Sequence, residues 1–161
     1  MSQDITTDLV TLRDYWRYAI SRFNAAELSY GHGTHTAVDD AAFLVLDSLD
    51  LPIDTLDPFL DAKLLATERR LLADRIETRV TTRKPSAYLT GRSYIQGLRF
   101  FVDERVIVPR SFIAELLMDD MAPWVQNPAA VTRVADICTG SGCLAILAAL
   151  QCPNSQVDAV D

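Results

Sequence analysis

The chain has 161 residues, 49% of them apolar, enough to bury a core in one domain or two small ones. Its 22 acids outnumber its 15 bases, and the net charge of −7 disfavours nucleic-acid backbone as a partner of the whole surface and favours basic partners. No basic-then-apolar leader opens the sequence, and the longest apolar run, Leu144 to Leu150, is far too short to span a bilayer, so a cytoplasmic protein without a membrane segment is expected.

Ile5, Leu9, Leu12, Trp16, Ala19, Ile20 and Phe23 recur at helical spacing and predict a first amphipathic helix, with Thr6 or Thr7 as N-cap. Tyr30-Gly31-His32-Gly33-Thr34-His35 follows. His32 and His35 stand near Asp39 and Asp40, but the glycines make a turn and no third ligand shares a helix face, so no metal is assigned. A second helix begins near Thr36, where Thr36 and Asp39 can form a capping box, and its periodicity predicts burial of Val38, Ala42, Val45, Leu46 and Leu49. After a turn bracketed by Pro52 and Pro58, a third helix capped by Thr67 carries Leu71, Leu72, Ile76 and Val80 on one face. Its end is marked by Arg79, Arg83 and Lys84, where the helix dipole favours cations, and by Pro85.

Charge is unevenly spread over this region. Residues 39–61 hold seven acids and no base, whereas 63–84 hold seven bases and three acids. Two solvated helix faces are the ordinary reading, and a docking surface is the alternative.

Residues 1–84 thus read as a helical bundle. From Tyr88 to Val108 the β-formers Tyr94, Ile95, Phe100, Phe101, Val102, Val106 and Ile107, interrupted by Gly91 and Gly97, predict a β-hairpin linker over 85–110. Arg110, after Pro109, is a cation of fixed backbone setting that can meet a carboxylate or simply face solvent. A short helix is predicted from Ile113 to Met121, and Pro123 and Pro128 punctuate the approach to the last segment of a third region, 111–161.

Arg133 to Ile146 reads as a buried strand ending in an acid, a glycine turn and a helix start. Gly140 and Gly142 let a ligand approach the backbone, and the following helix offers free N–H groups. About twenty residues on, 156–161 form a second strand with Asp161 at its tip, where a carboxylate can take both hydroxyls of a ribose. The three cysteines, Cys138, Cys143 and Cys152, make no C-x-x-C pair, so buried reduced thiols fit better than zinc. Gly140 to Ala145 also satisfies a relaxed G-x-G-x-x-A dinucleotide pattern, leaving a nicotinamide-dependent oxidoreductase or a non-enzymatic helical adaptor as alternatives. Asp136 favours a sulfonium cofactor over a diphosphate, since an acid there repels an anion and attracts a cation. The expected fold is α/β, the start of a doubly wound domain. Because such domains continue for several more strands, a partial site and self-association through the open sheet are expected.

These segments taken in order resemble the protein-glutamine N5-methyltransferases, and most closely the branch acting on the third large-subunit ribosomal protein. The residues carrying the resemblance are 30–34, Ala87-Tyr88-Leu89-Thr90, Phe101 to Ser111 and Asp136 to Cys143. The resemblance implies a Rossmann-like domain that binds S-adenosylmethionine, with cofactor contacts from Asp136, Cys138, Thr139, Gly140, Ser141, Gly142 and Asp161, and from Arg110 and Glu115 as further candidates. It also implies substrate recognition by the helical region. Glu115 lies one position later than the acid of the release-factor branch, and Phe112 replaces a second proline. The Asn-Pro-Pro-Tyr motif that orients the substrate amide is not present: Asn127-Pro128-Ala129-Ala130 lacks its second proline and tyrosine and precedes the cofactor strand. No catalytic residue is therefore assigned, and the chain alone is expected to be inactive.

Overall fold

A computed structural model describes residues 5–119 and 121–161. The chain mixes helices with two small sheets and divides into two compact units, 1–91 and 92–161. No helix among the described residues is long and apolar enough to cross a membrane.

The first unit is helical. The periodic segment expected as one helix is two, α1 (Ile5–Asp8) and α2 (Leu12–Ala25). Thr11, rather than Thr6 or Thr7, is the N-cap of α2, and Thr11 and Asp14 form a reciprocal capping box. The reason is tertiary: Thr11 bridges to Lys63, Leu12 N–H donates to Ala62 at 3.1 Å and Leu64 N–H donates to Val10 at 2.9 Å, which pins the start of α2 to the strand-like approach to the fourth helix. In the box, Asp14 Oδ2 accepts from the N–H of Thr11 at 2.8 Å, the Thr11 hydroxyl at 2.8 Å and the N–H of Val10 at 3.1 Å, and these donors hold its carboxyl below its ordinary range.

Thr36 caps α3 (Ala37–Ser48), accepting from Asp39 N–H. The buried face differs from the expected one: Ala41, Leu44, Val45 and Leu46 are buried with Asp40 and Asp47, while Val38 is 46% exposed. Two of the seven acids of 39–61 thus belong to the interior. The next helix, α4 (Ala66–Thr82), starts one residue before the expected cap Thr67, and Glu68 takes the N–H of Leu65 at 2.7 Å. Leu72 and Ile76 enter the core against Tyr15, Ala19 and Phe23 of α2, whereas Leu71 is turned outward.

The arginines of α4 are largely committed inside this unit. Arg69 donates to Thr6 O, Arg75 to Ser48 Oγ, and Arg83 to the carbonyls of Ala26 and Glu27. Arg79 is buried beside Asp40, with Nε to Oδ2 at 2.9 Å, and its other nitrogens reach Arg83 O at 3.0 Å and Ser29 O at 3.3 Å. Tyr88, expected as a strand residue, lies in α5 (Ser86–Thr90), which packs on α3 and α4. Pro85 at its start and a left-handed Gly91 at its end favour a single helical turn over the β preference of tyrosine.

In the second unit, β1 (Arg92–Ile95) and β2 (Leu98–Phe101) form an antiparallel hairpin. Gln96 and Gly97 both take positive φ, the turn that matches the twist of a two-residue hairpin. The following helix, α6 (Phe112–Met118), is capped by Ser111 and ends before the expected Met121. Ile95, Phe100, Ala114, Leu117, Cys143 and Leu147 make one small core. Strand β3 (Arg133–Ile137) pairs in parallel with β4 (Gln156–Val160), and α7 (Cys143–Gln151) connects them. Ile137 and Val160, paired in register, remain 68% and 51% exposed.

Candidate functional site

Parallel pairing brings the C-terminal ends of β3 and β4 to the same edge, so Asp136 and Asp161 flank one loop, residues 138–142. The loop turns by alternating left-handed residues: Cys138 at φ 63°, Gly140 at 53° and Gly142 at 77°. A Cβ on either glycine would meet no atom within 4 Å, so their backbone conformation demands glycine and the space beside them is open to a ligand. Cys138 holds a conformation that costs a non-glycine residue about 1 kcal/mol or more, which implies that its surroundings fix it.

Asp136 ties down the residues that follow it. Its Oδ2 accepts from the Thr139 hydroxyl at 2.6 Å and from the N–H of Ala145 at 3.1 Å, closing the loop onto the first turn of α7. Thr139 N–H donates to Val160 O at 3.1 Å, and Gly140 N–H to Asp161 Oδ1 at 3.2 Å, so the tip of β4 is joined to the same loop. Gly142 stands at the N-cap of α7, and the N–H groups of Cys143 and Leu144 have no acceptor within the helix. Ser141 Oγ lies 3.1 Å from Cys143 Sγ, and burial pushes the Cys143 thiol up, partly offset by that contact. Cys138 is exposed.

A cavity of about 280 Å³ adjoins the loop, lined by Phe101, Val102, Asp103, Arg105, Val106 and Ser141. Residues 101–106 were expected to be part of a linker, and the structure brings them against the glycine loop. The signal available in the sequence was Asp103 with Arg105 two residues on, an acid and a base able to close a turn on themselves. They do so: Arg105 Nη2 lies 2.7 Å from Asp103 Oδ2, and the Arg105 side chain and its backbone N–H hold the Asp103 carboxyl below its ordinary range.

Arg110 and Glu115 are both exposed, and among the described residues neither has a hydrogen bond or ion pair to the loop. Asn127 Oδ1 accepts from Ala129 N–H at 3.1 Å and caps the turn Pro128–Ala130. His32 and His35 are exposed in the other unit, and among the described residues no group of three or more His, Cys, Asp or Glu side chains stands together as a metal cage.

The strand–glycine loop–helix–strand unit has a carboxylate at each strand end and backbone N–H groups open at the start of its helix, a class of site able to take a small ligand. No protein-family model matches the chain. Three relatives are all named ribosomal protein uL3 glutamine methyltransferase. That of Bordetella pertussis is 59% identical over all 161 residues, which cover 54% of its length. That of Burkholderia pseudomallei is 56% identical over 155 residues, 96% of this chain and 50% of the relative. That of Neisseria meningitidis serogroup A is 50% identical over the whole chain and 53% of the relative. The chain spans about half the length of the curated relatives it matches.

Proposed function

We propose that the protein is an S-adenosylmethionine-dependent methyltransferase that methylates a glutamine side chain of ribosomal protein uL3 in the cytoplasm. In this reading residues 1–84 recognise the substrate, 85–110 form a linker, and 111–161 begin a Rossmann-like catalytic domain. The observation that carries it is the loop closed by Asp136 and flanked by Asp161, in a chain whose 161 residues align with about half of a relative of that name.

The residues present fit such a cofactor. Open space over Gly140 and Gly142 accepts a ligand against the backbone, from Cys138 through Gly142. Asp161 would hold the ribose hydroxyls, and the negative charge of Asp136 would favour the cationic portion over an anion. When bound, the cofactor supplies an electrophilic methyl group on a sulfonium. The chain's own contribution is positional. The cavity beside Ser141 offers the alkyl part of a glutamine the apolar side chains of Phe101, Val102 and Val106. Arg110 and Glu115 would join the site only if ligand binding draws them in.

A diphosphate cofactor is less suited, because Asp136 occupies the N–H of Ala145 and places negative charge at the helix start where a diphosphate would sit. Docking of the basic ribosomal protein is assigned to the exposed acids Asp50, Asp54 and Asp57. A contact of 63–84 with ribosomal RNA would rest on Lys63 and Arg70, which are exposed. The outward Ile137 and Val160 are where a second copy would associate. Titration calorimetry tests the reading. S-adenosylhomocysteine should bind and NAD should not, and Asp161→Ala should weaken the former by about 1–3 kcal/mol, the loss of charged hydrogen bonds. Binding of NAD in preference would overturn it, and unchanged affinity in the variant would remove Asp161 from the site.

A further inference from the structure

We propose that Arg105, clamped by Asp103 in the wall of the cavity beside the glycine loop, is a substrate-binding residue that holds a main-chain carbonyl of the protein segment carrying the target glutamine. The inference rests on the methyltransferase reading above and adds a specificity residue to it. Four hydrogen bonds define the clamp: Arg105 N–H to Asp103 Oδ1 at 3.1 Å, Nε to Oδ1 at 2.9 Å and to Oδ2 at 3.0 Å, and Nη2 to Oδ2 at 2.7 Å. This side-on grip uses the Nε edge and leaves the Nη1 donors and one Nη2 donor free in a fixed plane.

The clamp contributes little to folding. The Arg105 side chain is 83% exposed, and exposed ion pairs add next to nothing to stability. What it does achieve is orientation, since a free arginine side chain would have to be ordered when a partner binds, and this one is ordered already. Its charge is offset by Asp103, so the free edge suits a neutral acceptor better than an anion. The cavity supports this choice: beside the Asp103–Arg105 pair its described lining is apolar at Phe101, Val102 and Val106 and polar at Ser141. The reacting amide oxygen is the wrong acceptor. A cation there would draw the nitrogen lone pair into the carbonyl and lower the reactivity of the atom to be methylated. A backbone carbonyl next to the glutamine has no such conflict, and holding it fixes the segment's register across the cavity.

The test uses the full-length protein, with S-adenosylhomocysteine affinity measured by calorimetry and KM and kcat measured for methylation of the ribosomal protein. Arg105→Gln should raise KM about tenfold or more, the scale of a lost charged hydrogen bond, with kcat and S-adenosylhomocysteine affinity unchanged. Asp103→Asn, which frees the guanidinium, should move KM in the same direction. Arg105→Lys keeps the charge without the planar fork and should recover little. A parental KM in Arg105→Gln, in a protein that still binds S-adenosylhomocysteine, overturns this assignment alone. So does cofactor affinity falling in step with KM, which would make the pair a prop for the glycine loop. A parent protein that neither binds S-adenosylhomocysteine nor transfers methyl groups overturns the underlying reading and this inference with it.

Discussion

Replacing Arg79 by methionine should destabilise the helical unit more than any surface change. The side chains of Arg79 and Asp40 are 2% and 3% exposed, and the guanidinium joins three parts of the chain: Asp40 in α3, Arg83 at the end of α4 and Ser29 before the histidine loop. Methionine fills the space of the alkyl stem but leaves the carbonyls of Ser29 and Arg83 without this donor. It leaves the Asp40 carboxylate with the Thr34 hydroxyl at 3.0 Å. Stranding one member of a buried pair costs about 3–5 kcal/mol, which is a large share of a small domain's stability. Urea unfolding of the whole chain, followed by far-ultraviolet circular dichroism, measures the loss from the shift in midpoint at constant slope. The double replacement Asp40→Leu with Arg79→Met should regain most of it, because an apolar pair of similar volume is often neutral in such a site. A single-variant loss below about 1 kcal/mol, or a double variant equal to the sum of its singles, would refute the claim that this pair is coupled and uncompensated when broken.

Three further outcomes follow from other parts of the molecule. Asp14→Ala should cost about 0.5–2 kcal/mol at neutral pH through loss of the carboxylate half of the capping box. Since the folded carboxyl lies below its ordinary value of 3.8, that contribution is complete above 3.8 and fades as acid protonates the folded form, so the gap to the parent should close in acid. A pH-independent gap would mean that the carboxylate's charge is irrelevant to it. Alkylation with iodoacetamide, read by mass spectrometry, should modify Cys138 well before the buried Cys143 and Cys152, and S-adenosylhomocysteine should slow that reaction; equal rates at all three would contradict the loop geometry. Reversing Asp50, Asp54 and Asp57 to lysine should slow association with the ribosomal protein and flatten its salt dependence, and unchanged kinetics would reduce the acids to a solvated face. Asp47 is left out of that set because it is 1% exposed and its reversal would be a core lesion.

The sequence by itself was enough wherever the cause of structure is local. Thr36 followed by Asp39 announces the cap of α3, Gly97 a hairpin turn, and Gly140 with Gly142 a left-handed loop between strand and helix, because caps and positive φ depend on neighbouring residues. That Asp136 and Asp161 stand at one edge was legible for the same reason: strand ends and a glycine turn fix which edge they share.

Tertiary structure decided the rest. Thr11 rather than Thr6 or Thr7 caps α2 because the chain near Lys63 pairs with it, a contact between residues far apart in sequence. The basic run of α4 looked like a solvated face, yet Arg69, Arg75, Arg79 and Arg83 find partners within the unit, a placement that helical periodicity of apolar residues cannot reveal. Residues 101–106 read as a connector, and only the packed second unit sets Phe101 and Arg105 beside Ser141. Periodicity and caps describe how a chain meets itself within a few residues. The partner of a buried charge and the wall of a cavity are set by segments meeting across the fold.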